Sequence, residues 1–202
     1  MNLGKQQSFI SEARRDQIIE ATIQTLDEIG YVKASLAQIA KRAGISTALI
    51  SYHFTDKQDL MNHLLMNLLE RTNAYILGQV YRENGTQEKL AAFIQSSLEY
   101  QDAHPARNAA LVEIIFNART PDNTPYYKLG DDDENILLDE LQKILLSGRN
   151  EGVFADCNID VVANMIQGAV GEYMFNQALS KKVDVKTYAT ELIRIVNKAL
   201  KA

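Results

Sequence analysis

Ser35-Leu36-Ala37-Gln38-Ile39-Ala40-Lys41-Arg42-Ala43-Gly44-Ile45-Ser46-Thr47-Ala48-Leu49-Ile50-Ser51-Tyr52-His53-Phe54-Thr55-Asp56-Lys57-Gln58 packs three helix starts into one short span. Ser35 with Gln38 three residues on has the capping-box form, serine at the N-cap and an amide reaching back. The helix it opens, apolar at Leu36, Ile39, Ala40 and Ala43, stops at Gly44. Ser46 caps a second short helix through about Phe54, and Thr55-Asp56-Lys57-Gln58 opens a long third one. Gly44 supplies the positive φ that reverses the chain within three or four residues, and Ala43 is small enough for the helices to cross closely. Two short helices on either side of Ala43-Gly44-Ile45 have helix-turn-helix spacing. A plain helical hairpin satisfies the same spacing.

Working outward, apolar residues recur at helical period almost everywhere. Ile19, Thr22, Ile23, Leu26 and Ile29 line one face of a helix from about Ser11 to about Gly30. The long helix opened near Lys57 runs through Leu60, Leu64, Leu68 and Ile76 to roughly Arg82. Asn84-Gly85 has a hairpin-type composition, but its flanks do not alternate, so it reads as a helix–helix connection. The prolines stand at 105, 121 and 125, leaving long stretches free of the strongest helix breaker. Helices are expected near 87–103, 105–118, 132–150, 158–180 and 184–201, with 119–131 irregular. No strand and no repeat is evident. The expected fold is all-α: a three-helix helix-turn-helix domain over 1–56, then a helical ligand-binding and dimerisation domain over 57–202.

A second helix of this kind would lie in the major groove of double-stranded DNA with its N-terminal residues at base edges. Ser46, Thr47 and Ala48 occupy that end. A threonine hydroxyl can bond a base or a phosphate, and alanine or threonine methyls can meet the thymine methyl. Ser35 and Lys57 sit at starts of the flanking helices, where free N–H groups and the helix dipole favour phosphate. Tyr52 and His53 at the far end, with Lys33 nearby, are further phosphate candidates. His53 can equally be a packing residue, and Arg14 and Arg15 either contact phosphate or form a solvated face.

These residues carry a resemblance. Ile39-Ala40-Lys41-Arg42-Ala43-Gly44-Ile45-Ser46 followed by Leu49-Ile50-Ser51-Tyr52-His53-Phe54-Thr55-Asp56-Lys57-Gln58-Asp59-Leu60 resembles the DNA-binding signature of TetR-family transcriptional regulators, closely over about 11–60. The chain departs from it at Ala48, where the family often has glycine, and at Ser51, where it often has tyrosine. Ile-Ser-Tyr-His-Phe-x-Asp-Lys is similar to the subgroup that includes betaine-synthesis repressors. The resemblance implies a homodimeric repressor whose two recognition helices read successive major grooves of a palindromic operator. It also implies that a small-molecule effector, of unknown identity, binds the C-terminal domain and releases DNA.

Composition sets the outer bounds. The 202 residues are 46% hydrophobic and 23% charged, with one cysteine and a net charge of −5. That is globular composition, large enough for a real core. A lone cysteine makes neither an internal disulfide nor a cysteine-based zinc site. No stretch approaches a membrane span, and Met1-Asn2-Leu3-Gly4-Lys5 lacks the apolar run of a signal peptide, so a cytoplasmic protein with no membrane partner is expected. The negative sum argues at first against nucleic acid. Yet residues 1–60 are neutral, with Lys5, Arg14, Arg15, Lys33, Lys41, Arg42 and Lys57 balanced by Glu12, Asp16, Glu20, Asp27, Glu28, Asp56 and Asp59. The remainder supplies the whole excess of acid.

The other candidates lie there. Val161 to Gly171 holds no charged residue and is apolar on several faces, so one face packs on its own core and another needs a partner. Val161, Met165, Gly168 and Gly171 with Leu192 and Val196 of the last helix are the expected dimer interface, a four-helix arrangement across a two-fold axis. A central helix buried within one subunit is the alternative. Phe93, Tyr100, Phe116, Met165 and Tyr173 are candidate effector contacts, although aromatic and methionine residues at helical spacing are more often core. Glu113 interrupts Leu111-Val112-Glu113-Ile114-Ile115-Phe116 and either faces a cationic ligand or points outward. The run Asp131-Asp132-Asp133-Glu134 suits a helix start. Cys157 reads as an ordinary small residue. His53, His63 and His104 have no metal-ligand spacing, and no catalytic constellation is present, so neither an enzyme nor a cofactor or metal is expected. The competing reading is a helical protein-interaction module of the same fold without an effector.

Overall fold

The computed structural model describes residues 3–129 and 135–201. Its helices are α1 (Leu3–Lys33), α2 (Leu36–Ala43), α3 (Thr47–His53), α4 (Lys57–Val80), α5 (Thr86–Ala103), α6 (Pro105–Asn117), α7 (Ile136–Asn150), α8 (Ile159–Phe175), α9 (Gln177–Ser180) and α10 (Val185–Ala199), with a 3-10 turn at Tyr126–Lys128. No strand occurs among the described residues, where extended pairing is limited to isolated bridges between Arg119 and Pro125 and between Phe154 and Lys201. The fold is all-α.

Local chemistry sets the helix ends. Ser35 Oγ accepts from the Gln38 backbone N–H at 3.3 Å and donates to Gln38 Oε1 at 2.8 Å. Asn135, Asn158 and Asp184 cap α7, α8 and α10 in the same way, each side chain accepting an N–H three residues on. The stop expected at Gly30 is a break rather than an end. Gly30 leaves the helical path at φ 74°, ψ 167°, and α1 resumes as far as Lys33. The single helix expected over 158–180 is two, because Asn176 leaves the helical path at φ −98°, ψ 83° and its Oδ1 accepts from Leu179 N to start α9. The acidic run at 131–134 lies outside the described residues.

Contacts divide the chain into two compact units. The head holds the described residues up to Leu69 together with Ala106–Leu129; the body holds Glu70–Pro105 and the described residues from 135 onward. A boundary was expected at 56/57, and the head takes more than that. Ala110, Ile114 and Ala118 are fully buried in the head's apolar cluster, so α6 is a structural part of it.

Each unit has its own core. In the head, Ile18, Ile23, Leu26, Ile39, Ile50, Phe54, Leu60 and Leu64 are essentially inaccessible to solvent. Burying a side chain of this size contributes roughly 1.5–3 kcal/mol. That is how α2 and α3, too short to persist alone, are held in place. In the body, α5 packs against α7, α8 and α10 around Phe93, Ile94, Leu98, Leu141, Leu145, Ile166 and Tyr173.

Candidate nucleic-acid interface

The turn between α2 and α3 depends on Gly44, which takes the left-handed conformation at φ 67°. Its N–H and that of Ile45 close back on the end of α2. Gln17 of α1 donates through Nε2 to Ala43 O at 2.7 Å, fixing the turn to the first helix. Ser46 Oγ accepts from Leu49 N at 3.2 Å and so caps α3. Ile50 and Phe54 anchor α3 from below. With those two inward, Thr47, Ala48, Ser51 and Tyr52 form one exposed face.

Tyr52 is 80% exposed, an unusual place for so large a ring unless something covers it. It meets His53 edge-on, with ring centroids 5.1 Å apart. Burial, and secondarily the Arg15 charge, holds the His53 pKa below its ordinary value of 6.5, which favours the neutral imidazole. Arg15 itself lies over the Phe54 ring at 5.9 Å. Lys33 and Ser35 are exposed. Lys57 is half-buried: its Nζ donates to Tyr31 O at 2.6 Å and sits 4.3 Å from the centre of the Tyr31 ring. An ammonium has three N–H donors, so two remain for an incoming oxygen.

The structure thus brings Ser46, Thr47, Ala48 and Tyr52 together on α3 and its cap. Lys33, Ser35 and Lys57 also belong to the head. Ser51 joins that face although the sequence offered it only as a departure from a signature; its position four residues after Thr47 is the signal that finds it. Sequence reasoning also missed Tyr31, whose carbonyl and ring hold Lys57.

The candidate effector residues are divided between the two units. Phe93, Tyr100 and Tyr173 are buried in the body. The Tyr100 ring lies between Tyr75 at 5.2 Å and His104 at 4.3 Å, and Tyr173 lies beside Tyr188 at 4.9 Å. Glu113 and Phe116 belong to the head. Glu113 Oε2 accepts from Tyr31 N at 2.7 Å, and Phe116 is exposed and stacks on Tyr127. Met165 is 49% exposed on α8. There it lines up with Val161, Gly168 and Phe175, residues that share an exposed stripe at helical spacing, with Gly171 partly covered. On α10 the spacing expectation is off by one residue: Val196 is only 1% exposed and belongs to the body core, while Ile195 faces out at 52%, with Leu192 between the two extremes. Among the described residues no cluster of three or more His, Cys, Asp or Glu is disposed to hold a metal, and no helix is long and apolar enough to cross a membrane.

Comparison with known proteins agrees with this geometry. Residues 18–64 match the family described as bacterial regulatory proteins, tetR family. Over 100 residues, 48% of this chain and 50% of the relative, the chain is 31% identical to the HTH-type transcriptional regulator BetI of Escherichia coli. The chain therefore spans about half the length of the curated relatives it matches. In fold it is similar to the fatty acid degradation regulator FadR of Bacillus halodurans, at a TM-score of 0.75 and 23% identity, covering 91% of this chain and 94% of that one. It is equally similar to FadR of Bacillus subtilis, solved in complex with stearoyl-CoA, at a TM-score of 0.76 and 18% identity over 91% and 98% of the two chains. Residues 18–64, the part that matches the tetR family of bacterial regulatory proteins, enclose the two crossed helices and the exposed face of α3.

Proposed function

We propose that the chain is a transcriptional repressor that binds a palindromic operator as a homodimer and is released by a small-molecule effector held in the body. The exposed face Thr47, Ala48, Ser51 and Tyr52 carries the reading. It is small and polar near the start of α3, where an α-helix enters the major groove, and aromatic at the far end, where the phosphate backbone returns. Thr47 and Ala48 read bases; Lys57, Tyr52 and the N-terminus of α2 beside Ser35 position the protein on phosphates. The stripe Val161, Met165, Gly168 and Phe175 on α8, with Ile195 on α10, is the apolar surface a second copy covers. Two heads related by that axis read half-sites about 34–36 Å apart.

The effector part rests on the neighbour solved with stearoyl-CoA, whose fold this chain shares, and on the buried aromatic residues Phe93, Tyr100 and Tyr173 within the body. The test is a genomic fragment selection followed by mobility shift. A retained fragment should contain an inverted repeat and lose affinity steeply with salt. Addition of an acyl-CoA series should then show whether any member releases the fragment. Failure to retain any specific fragment overturns the repressor reading.

A further inference from the structure

Glu113 stands in the middle of an apolar run, Leu111-Val112-Glu113-Ile114-Ile115-Phe116, and is partly buried. Its Oε2 accepts the Tyr31 backbone N–H at 2.7 Å. Asn117 Nδ2 approaches the same oxygen at 3.3 Å and steadies it. The site works only because residue 30 is glycine: a Cβ there would come within 3.1 Å of Glu113 Oε2, and φ is +74°. Tyr31 is fixed on its other sides as well. Its carbonyl accepts from Lys57 Nζ at 2.6 Å, its ring lies under that ammonium at 4.3 Å, and its hydroxyl bonds Gln58 Oε1 at 3.0 Å. A single residue at the break in α1 is therefore held by α6 through its N–H and by α4 through its carbonyl.

We propose that Glu113 is a positioning residue for DNA binding: by fixing Tyr31 it sets the Tyr31 carbonyl and ring that aim the Lys57 ammonium at the phosphate backbone. This rests on the DNA-binding reading above. Lysine is a flexible point charge, and a contact from it is strong only if its direction is set beforehand. The Tyr31 carbonyl takes one of its three donors and leaves two directed outward. Glu113 is not what keeps α6 on the head. Ala110, Ile114 and Ala118 are buried there, and Arg107 Nη2 pairs with Glu20 Oε2 at 3.2 Å. Removing the carboxylate should therefore leave the head folded.

Glu113→Ala and Glu113→Gln delete the same negative charge, so any general gain in attraction to DNA is equal in both. The amide oxygen of glutamine still accepts the Tyr31 N–H; alanine cannot. On the fragment retained by the wild-type protein, Glu113→Ala should bind about tenfold more weakly, with a salt slope shallower by about one unit. Glu113→Gln should stay within about twofold of wild type with the slope unchanged. Equal affinities for the two variants, or a Glu113→Ala protein with lowered thermal stability and an unaltered salt slope, would overturn the proposal in favour of a plain structural brace. Amide exchange at Tyr31, followed by NMR without DNA, separates this failure from that of the function. A rapidly exchanging Tyr31 amide in the wild type overturns the contact itself. A protected Tyr31 in a protein that retains no fragment overturns the DNA-binding reading, and the positioning role with it.

Discussion

Two glycines of the head share a positive φ but not ψ, and should respond very differently to a methyl group. Gly44 has φ 67°, ψ 33°, the left-handed region, whereas Gly30 has φ 74°, ψ 167°, a region open in practice only to glycine. For an L-residue the left-handed region costs about 1–2 kcal/mol. The same substitution stiffens the unfolded chain and returns about 0.4–1 kcal/mol. At Gly44 a Cβ meets nothing within 4 Å, so Gly44→Ala should destabilise by the difference, about 1 kcal/mol. At Gly30 the new Cβ lies 3.1 Å from Glu113 Oε2, and the carboxylate that accepts the Tyr31 N–H must move aside. The φ/ψ of Gly30 costs an L-residue about 1–3 kcal/mol, and a hydrogen bond to a charged group contributes about 1.5–3 kcal/mol, so Gly30→Ala should cost about 2–5 kcal/mol in all.

For a chain of this length, 1 kcal/mol moves the melting midpoint by about 2–4 °C. Circular-dichroism melts at one fixed protomer concentration should therefore show a drop of about 2–4 °C for Gly44→Ala and at least twice that for Gly30→Ala. The decisive measurement is the cycle with Glu113→Ala. Once the carboxylate is gone, the Gly30→Ala penalty should shrink by about the worth of that hydrogen bond, because only the backbone penalty of its own φ/ψ region remains. Equal costs at the two glycines in the wild-type background, or an undiminished Gly30→Ala penalty in the Glu113→Ala background, would refute this account of the α1 break.

Three further outcomes follow from other parts of the molecule. Lys57→Ala should weaken binding to all DNA sequences and shallow the salt slope by about one unit, whereas Thr47→Val should change which sequence is preferred; mobility shifts across salt and a randomised half-site tell them apart, and identical behaviour would contradict the division of labour along α3. Because His53 is held below 6.5 in the folded protein, the unfolded chain takes up that proton first. Stability is then fullest above about pH 6.5 and falls as pH drops through the lowered folded value, a loss that His53→Gln should remove when denaturation midpoints are compared between about pH 7.5 and 5. Met165→Glu puts a charge into the exposed stripe of α8, where the wild-type side chain is 49% exposed, and should leave the monomer folded while shifting sedimentation from dimer to monomer; an unchanged dimer would place the interface elsewhere.

What was legible in the sequence follows the range of the interactions responsible. Capping is local, so Ser35 with Gln38 and Ser46 with its following turn were readable as written, and they occur as read. The left-handed turn at Gly44 was readable for the same reason. The allegiance of α6 was not. Its assignment to the head rests on Glu113 meeting Tyr31 and on Arg107 meeting Glu20, partners more than eighty positions apart. Reading domains as consecutive stretches put Glu113 and Phe116 in the second domain, although both stand in the head. The α10 face was misassigned by one residue for a subtler reason. Ile195 and Val196 are adjacent and equally apolar, and periodicity alone does not say which of them turns inward when the stripe is only two turns long. The one hint available for the Tyr31 site was an acid in the midst of an apolar helix, next to nothing in sequence that explained it.

The charge distribution gains its meaning from these placements. Residues 1–60, neutral on an acidic chain, have no general attraction to a polyanion, so any affinity must come from a few cations whose directions are set. In the head, Arg42 is paired with Glu28 and Arg107 with Glu20, which removes two of its positive groups from that role. Arg15 lies over Phe54 at the end of α3, and Arg14 donates to Gln17 Oε1 at 2.6 Å within α1. Lys57 differs from these. Among the described residues its hydrogen-bond acceptor is the neutral Tyr31 carbonyl, so the contact that sets its direction leaves its charge unneutralised. A protein built in this way binds weakly wherever the phosphates do not coincide with its few aimed donors. Discrimination between sites would then be obtained partly from geometry, before any base is read, and in the proposed dimer it would be multiplied because both heads must match at once.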